Sequence, residues 1–68
     1  METIGTRLKK RRIELNMKQS DIAKILNINR VTYQGYESDK HKPDIDTLVK
    51  IADTYQLSLD YITGRFKQ

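Results

Sequence analysis

Arg30, Val31, Thr32 and Gln34 fall within one short stretch that also carries Tyr33, Gly35 and Tyr36. On a helix, Tyr33 and Tyr36 lie three apart and share a face, which must be its inner side. Arg30, Val31, Gln34 and Gly35 then turn the other way, giving an outward face with polar reach and almost no bulk. Guanidinium and carboxamide groups displayed in this way form hydrogen bonds to a partner; they do not make or break covalent bonds. Upstream, Arg7, Lys9, Lys10, Arg11 and Arg12 crowd together in a chain of net charge +4. A cationic surface favours a polyanion, either nucleic acid or an anionic membrane. The run alone would equally suit a solvated helix face. At about 100° per residue, Lys9, Lys10 and Arg11 spread around a helix, so they cannot all meet one partner. Arg11 and Lys10 are weak candidates for a phosphate, with most of the run solubilising.

Other chemistry finds little support. The chain has no cysteine and one histidine, His41, so thiolate and histidine-cluster metal sites are excluded. Asp44, Asp46, Asp53 and Asp60 are the candidate catalytic carboxylates. Asp44 is better explained as a helix cap, and Asp46 as a first-turn residue that suits the helix dipole. A chain of 68 residues has little room for a substrate cleft. No catalytic residue, metal, cofactor or small-molecule ligand is expected. No apolar stretch approaches the ~20 residues of a membrane span, and no apolar segment precedes the basic cluster as in a signal peptide. The expectation is a soluble cytoplasmic protein without a membrane partner.

The elements that would position these residues are short helices. Ile4 and Leu8 share a helical face, with Leu15 completing the set and Ile13 offset. Thr3 is the expected N-cap of a first helix from about Ile4 to Leu15, ended at Asn16. A second helix starts near Gln19 and carries Ile22, Ala23, Ile25 and Leu26. Asn27 suits a left-handed turn, and Asn29 caps a third helix running from Arg30 to about Ser38. Only Asn27, Ile28 and Asn29 join the two, which forces an angled pair. Ala23 permits close crossing of the third helix, and Ile28 plugs the turn. Ser38 to Pro43 reads as a loop. Asp44 caps a fourth helix, Ile45 to Tyr55, expected to bury Leu48, Val49, Ile51, Ala52 and Tyr55. Ser58 caps a fifth with Leu59 and Ile62, and Gly64 closes it. The expectation is an all-α, five-helix, single domain over residues 1–68.

The stretch from Gln19 to Glu37, with Arg7-Leu8 and Arg12 before it and Lys42-Pro43-Asp44, Leu48 to Ala52 and Leu57 to Tyr61 after it, resembles the phage repressor and Cro-type (Xre-like) helix-turn-helix regulators. The resemblance covers nearly the whole chain. It implies a lambda-repressor-like DNA-binding fold, with the helix-turn-helix formed by the second and third helices over residues 19–38. Gln19 is similar to a glutamine that touches phosphate and braces the third helix. Arg30 and Val31 match positions that read base edges in the major groove, Thr32 one that meets phosphate, and Gln34 lies near the groove. Arg pairs bidentately with guanine and Gln with adenine, each pair discriminating by about 1–3 kcal/mol; Val31 can offer only apolar contact, to a thymine methyl. Arg12 and Glu37 match an ion pair that ties the first helix to the end of the third.

Departures from the pattern qualify these roles. Lys18 stands where Ser or Thr often caps, so the cap is lost and a phosphate contact replaces it. Asn27 stands where Gly is common, which the left-handed turn tolerates. Tyr33 replaces an aliphatic residue, so its hydroxyl must find a partner or reach the surface. Gly35 occupies a position that often contacts DNA; lacking a side chain, it either lets the helix backbone approach the duplex or marks a dispensable position. Asp39 replaces a turn glycine and brings negative charge near the duplex. Lys40 is expected at a phosphate, Lys42 is evenly balanced, and His41 is a solvated loop residue.

The function implied is a sequence-specific, double-stranded-DNA-binding transcriptional regulator: a repressor acting as a homodimer on a near-palindromic operator, in the cytoplasm and associated with the nucleoid. The fourth and fifth helices, with Tyr61 and Phe66, are the expected dimer surface. No sensor domain is expected after residue 68, so control would come from protein concentration, a competing regulator or a separate partner. The alternative is an antitoxin or anti-repressor-like module that uses the same fold to dock a protein. A membrane-surface or RNA-binding role lacks an aromatic-rich apolar face or an exposed stacking platform.

Overall fold

The computed structural model describes residues 2–65 of the chain. Its helices are α1 (Ile4–Glu14), α2 (Gln19–Leu26), α3 (Arg30–Glu37), α4 (Ile45–Tyr55) and α5 (Leu59–Thr63). The fold is all-helical, and each helix starts where a local chemical signal places it. The Thr3 hydroxyl accepts from Thr6 N–H, and Thr6 answers through its hydroxyl, closing a capping box. Asn29, Asp44 and Ser58 accept from the amides of Val31, Thr47 and Tyr61. Each such cap contributes about 1 kcal/mol. Asn27 (φ 58°) and Gly64 (φ 78°) adopt the left-handed conformation that terminates α2 and α5. Lys18 begins α2 without a side-chain cap; the Asp21 carboxylate instead accepts its amide at 2.8 Å.

One core forms where the helices meet. Leu8, Ile22, Tyr33, Ile51, Tyr55 and Ile62 are fully enclosed, and Ala23, Leu26, Tyr36, Leu48 and Ala52 complete it. Ile28 packs against this cluster from the turn. Helix α3 packs most extensively against α1 and α2, so the first two helices set its orientation.

Three expectations need correction. Val49 is 40% exposed, because the buried stripe of α4 runs through Leu48, Ile51, Ala52 and Tyr55 and leaves Val49 on its flank. Leu15 lies outside α1 as its C-cap and is 38% exposed. Gly35 is buried, not open on the outward face, because the side chain of His41 folds over it.

Gly5 and Asp39 fasten α1 to α3. A Cβ on Gly5 would come within 2.6 Å of the Tyr36 carbonyl oxygen, so only glycine permits this approach. Asp39, left-handed at φ 62°, turns its carboxylate back onto the start of α1. There it accepts from the Gly5 amide at 2.9 Å and from the Thr3 hydroxyl. That negative charge therefore sits at a helix N-terminus, where the dipole stabilises it.

Candidate functional site

Asn29 fixes the first turn of α3, from which Arg30 and Val31 point outward, Val31 at 63% exposure. Gln34 is exposed one turn later, and Thr32 is half-buried at the flank. Tyr33 and Tyr36 point inward and meet edge to face, with ring centroids 6.2 Å apart. An aromatic core face and an outward guanidinium and carboxamide thus lie back to back on an eight-residue helix.

Glu37, at the last turn of α3, is the hub that holds this helix in place. Its carboxylate accepts from Arg12 Nε at 2.7 Å and Arg12 Nη2 at 3.1 Å, a bidentate fork. Gln19 Nε2 donates to the same carboxylate at 3.0 Å, and the remaining Arg12 nitrogen, Nη1, donates to the Met17 carbonyl at 2.9 Å. The two side chains are 13% and 4% exposed, so the charges interact away from water. Burial alone would raise the Glu37 pKa. The hydrogen bonds from Arg12, Tyr33 and Gln19 outweigh it and hold the pKa below the ordinary carboxylate value. The hydroxyl that Tyr33 brings into the core meets the Tyr55 hydroxyl at 2.5 Å. Burial is the main reason both phenols resist ionisation, with Tyr55 pushed up to about 12. Arg12 and Gln19 thus tie α1 and α2 to α3 through one carboxylate, and the Tyr33–Tyr55 contact ties α3 to α4.

The basic run on α1 divides by position. Arg11 Nε donates to the Tyr55 carbonyl at 2.8 Å, satisfying the C-terminal end of α4. Arg7 lies over the Tyr61 ring at 5.9 Å and reaches the Ile62 carbonyl. Both arginines therefore tie α1 to the C-terminal half of the fold. Lys9 instead lines a shallow cleft with Gln19, Gln34, Glu37 and Ser38, beside the outward face of α3. The sequence carried a signal for this: Lys9 is three residues before Arg12, and side chains at that spacing share a helix face.

Lys18 and Lys40 are exposed at the two flanks of the α2–α3 unit. Lys40 is backbone-anchored, its N–H donating to the Gly35 carbonyl at 2.9 Å. Among the described residues no group of His, Cys, Asp or Glu could hold a metal ion, and no helix is long and apolar enough to cross a membrane. Tyr61 is half-buried; Phe66, the other expected dimer residue, lies outside the described residues.

A family model described as helix-turn-helix matches residues 8–62. The HTH-type transcriptional regulator ImmR of Bacillus subtilis is 38% identical over 63 residues, 93% of this chain and 50% of that protein. The cryptic phage CTXphi transcriptional repressor RstR of Vibrio cholerae is 36% identical over 63 residues, 93% of this chain and 56% of that protein. The chain therefore spans about half the length of the curated relatives it matches. Among solved structures, the P22 c2 repressor in complex with a synthetic operator superposes with a TM-score of 0.90 at 23% identity, over 97% of this chain and 100% of that one. A transcriptional regulator from Listeria innocua superposes with a TM-score of 0.88 at 30% identity, over 97% of this chain and 62% of that one.

Proposed function

The chain belongs to the helix-turn-helix family, and from that membership we propose that it is a transcriptional repressor that reads double-stranded DNA in the major groove through α3. The observation that carries the proposal is the outward Arg30–Val31–Gln34 face, braced from behind by the buried Arg12–Glu37–Gln19 cluster. Arg30 and Gln34 supply the directional hydrogen bonds that distinguish base pairs, and Val31 an apolar contact. Thr32, Lys18, Gln19, Lys40 and Lys9 flank that face and meet phosphate, fixing the helix in register without reading sequence. The P22 c2 repressor is described bound to a synthetic operator, and RstR is named a repressor. Both support the same reading here.

One helix of this length touches too few base pairs to define a unique site. The chain therefore acts as a homodimer on a near-palindromic operator, its half-sites about 34 Å apart. Protein bound at the operator excludes polymerase, and it works in the cytoplasm on the nucleoid. It performs no catalysis and needs no cofactor.

Salt dependence of duplex binding tests the proposal. Each neutralised phosphate contributes about −0.9 to the slope of log affinity against log salt. Wild type is expected to show a steep slope, and Lys9→Ala or Lys40→Ala each to flatten it by about 1. A flat wild-type response would point instead to a face that docks another protein.

A further inference from the structure

The glycine in the outward face of α3 is not an open position. A Cβ built on Gly35 would overlap His41 Cδ2 and approach its Cγ to 3.3 Å. The backbone holds the ring's base there. The Gly35 carbonyl accepts from Lys40 N–H at 2.9 Å, His41 N–H at 3.2 Å and the Ser38 hydroxyl at 3.2 Å. Three donors on one carbonyl staple the loop to the last turn of the helix. Gly35 is also one helical turn beyond Val31, in the same row of side chains. The imidazole therefore occupies the place a side chain at position 35 would take. It shares a shallow depression with Val31, Gln34, Ser38 and Lys40, and His41 remains exposed to a partner.

We propose that His41 is a specificity-determining residue, its imidazole delivered by the loop to the α3 face in place of the side chain that Gly35 lacks. The inference rests on the DNA-binding reading above and deepens it by naming a base contact. An imidazole N–H is a donor; the major-groove acceptors are purine N7, guanine O6 and thymine O4, and purines, each presenting N7 and guanine O6 beside it, offer the denser acceptor edge. The ligand it reads is a purine edge, next to the base met by Val31. Lys40, which also lines the depression, directs the loop to the adjacent phosphate.

The test is selection of bound duplexes from a randomised pool, carried out with wild type, His41→Ala, Gly35→Ala and the double variant. Arg30→Ala serves as a reference for an independent base contact. His41→Ala is expected to lower discrimination at one purine position per half-site by at least about 5-fold, leaving the other positions intact. Gly35→Ala should do the same, because its methyl evicts the ring. The double variant should be no worse than His41→Ala alone, as expected for changes that remove one shared contact. Thermal melting that matches wild type establishes that His41→Ala is folded. If His41→Ala weakens all sequences equally, or selects the same consensus as wild type, the proposed role of His41 is overturned. A wild type that selects no consensus, while still folded, overturns the DNA-binding reading itself and this inference with it.

Discussion

At the scale of single residues, most of the consequence is concentrated in Glu37. It is the most enclosed charged residue described, and its carboxylate satisfies Arg12 and Gln19 together. Glu37→Gln would leave the Arg12 guanidinium buried without a counter-charge, which costs about 3 kcal/mol; urea unfolding at neutral pH measures it. The same residue sets an acid limit. Its pKa is lower folded than unfolded, so as pH falls the unfolded chain takes up the proton first. Its contribution is complete above the unfolded carboxylate value, ~4.3, and is lost as pH falls toward the lower folded value. Wild type should lose stability across that window, and Glu37→Gln should lose correspondingly less. The tyrosine pair works in the opposite direction. Tyr33 and Tyr55 hold their protons more tightly when folded, so their contribution is full below the ordinary phenol value, ~10, and is lost as pH rises. Ultraviolet titration should therefore show a phenol component that ionises only with unfolding and is missing from a Tyr33→Phe/Tyr55→Phe variant. The need of the Tyr33 hydroxyl for a partner was legible in the sequence. That the partner is Tyr55 was not, because nothing local relates two residues on different helices.

At the scale of elements, helix starts and stops could be read because their causes are local. Thr3, Asn29, Asp44 and Ser58 cap within three residues, and Asn27 and Gly64 turn the chain by their own conformational freedom. The fastening between elements could not be read. Asp39 reaches the start of α1, and Gly5 fits against the Tyr36 carbonyl, through contacts that exist only after folding. Gly5 gives a test with an unambiguous sign. Helix propensity alone favours alanine over glycine by about 1 kcal/mol. The close approach predicts that Gly5→Ala destabilises instead, by about 1–3 kcal/mol, since α1 must move off α3. A rise in melting temperature would contradict that packing. The basic run of α1 shows the same division: its charge was visible in sequence, and the spacing of Lys9 from Arg12 hinted at a shared face, but nothing local showed that Arg11 serves α4. Arg11→Ala should therefore lower stability, and Lys9→Ala should lower duplex affinity while the melting temperature stays unchanged.

At the scale of the whole molecule, the account rests on a division of labour across α3. Its inner face belongs to the core and its outer face is the one proposed to meet a duplex, and the buried cluster behind it keeps one from turning into the other. The most direct test measures fluorescence anisotropy of wild type, Arg30→Ala and Lys40→Ala on a selected duplex and on a scrambled one, at a single salt concentration. Arg30→Ala should lose about 5-fold or more in affinity on the selected duplex and little on the scrambled one. Lys40→Ala should lose by the same factor on both. If Arg30→Ala weakened both duplexes equally, or neither, α3 would not be reading bases and the account would fail.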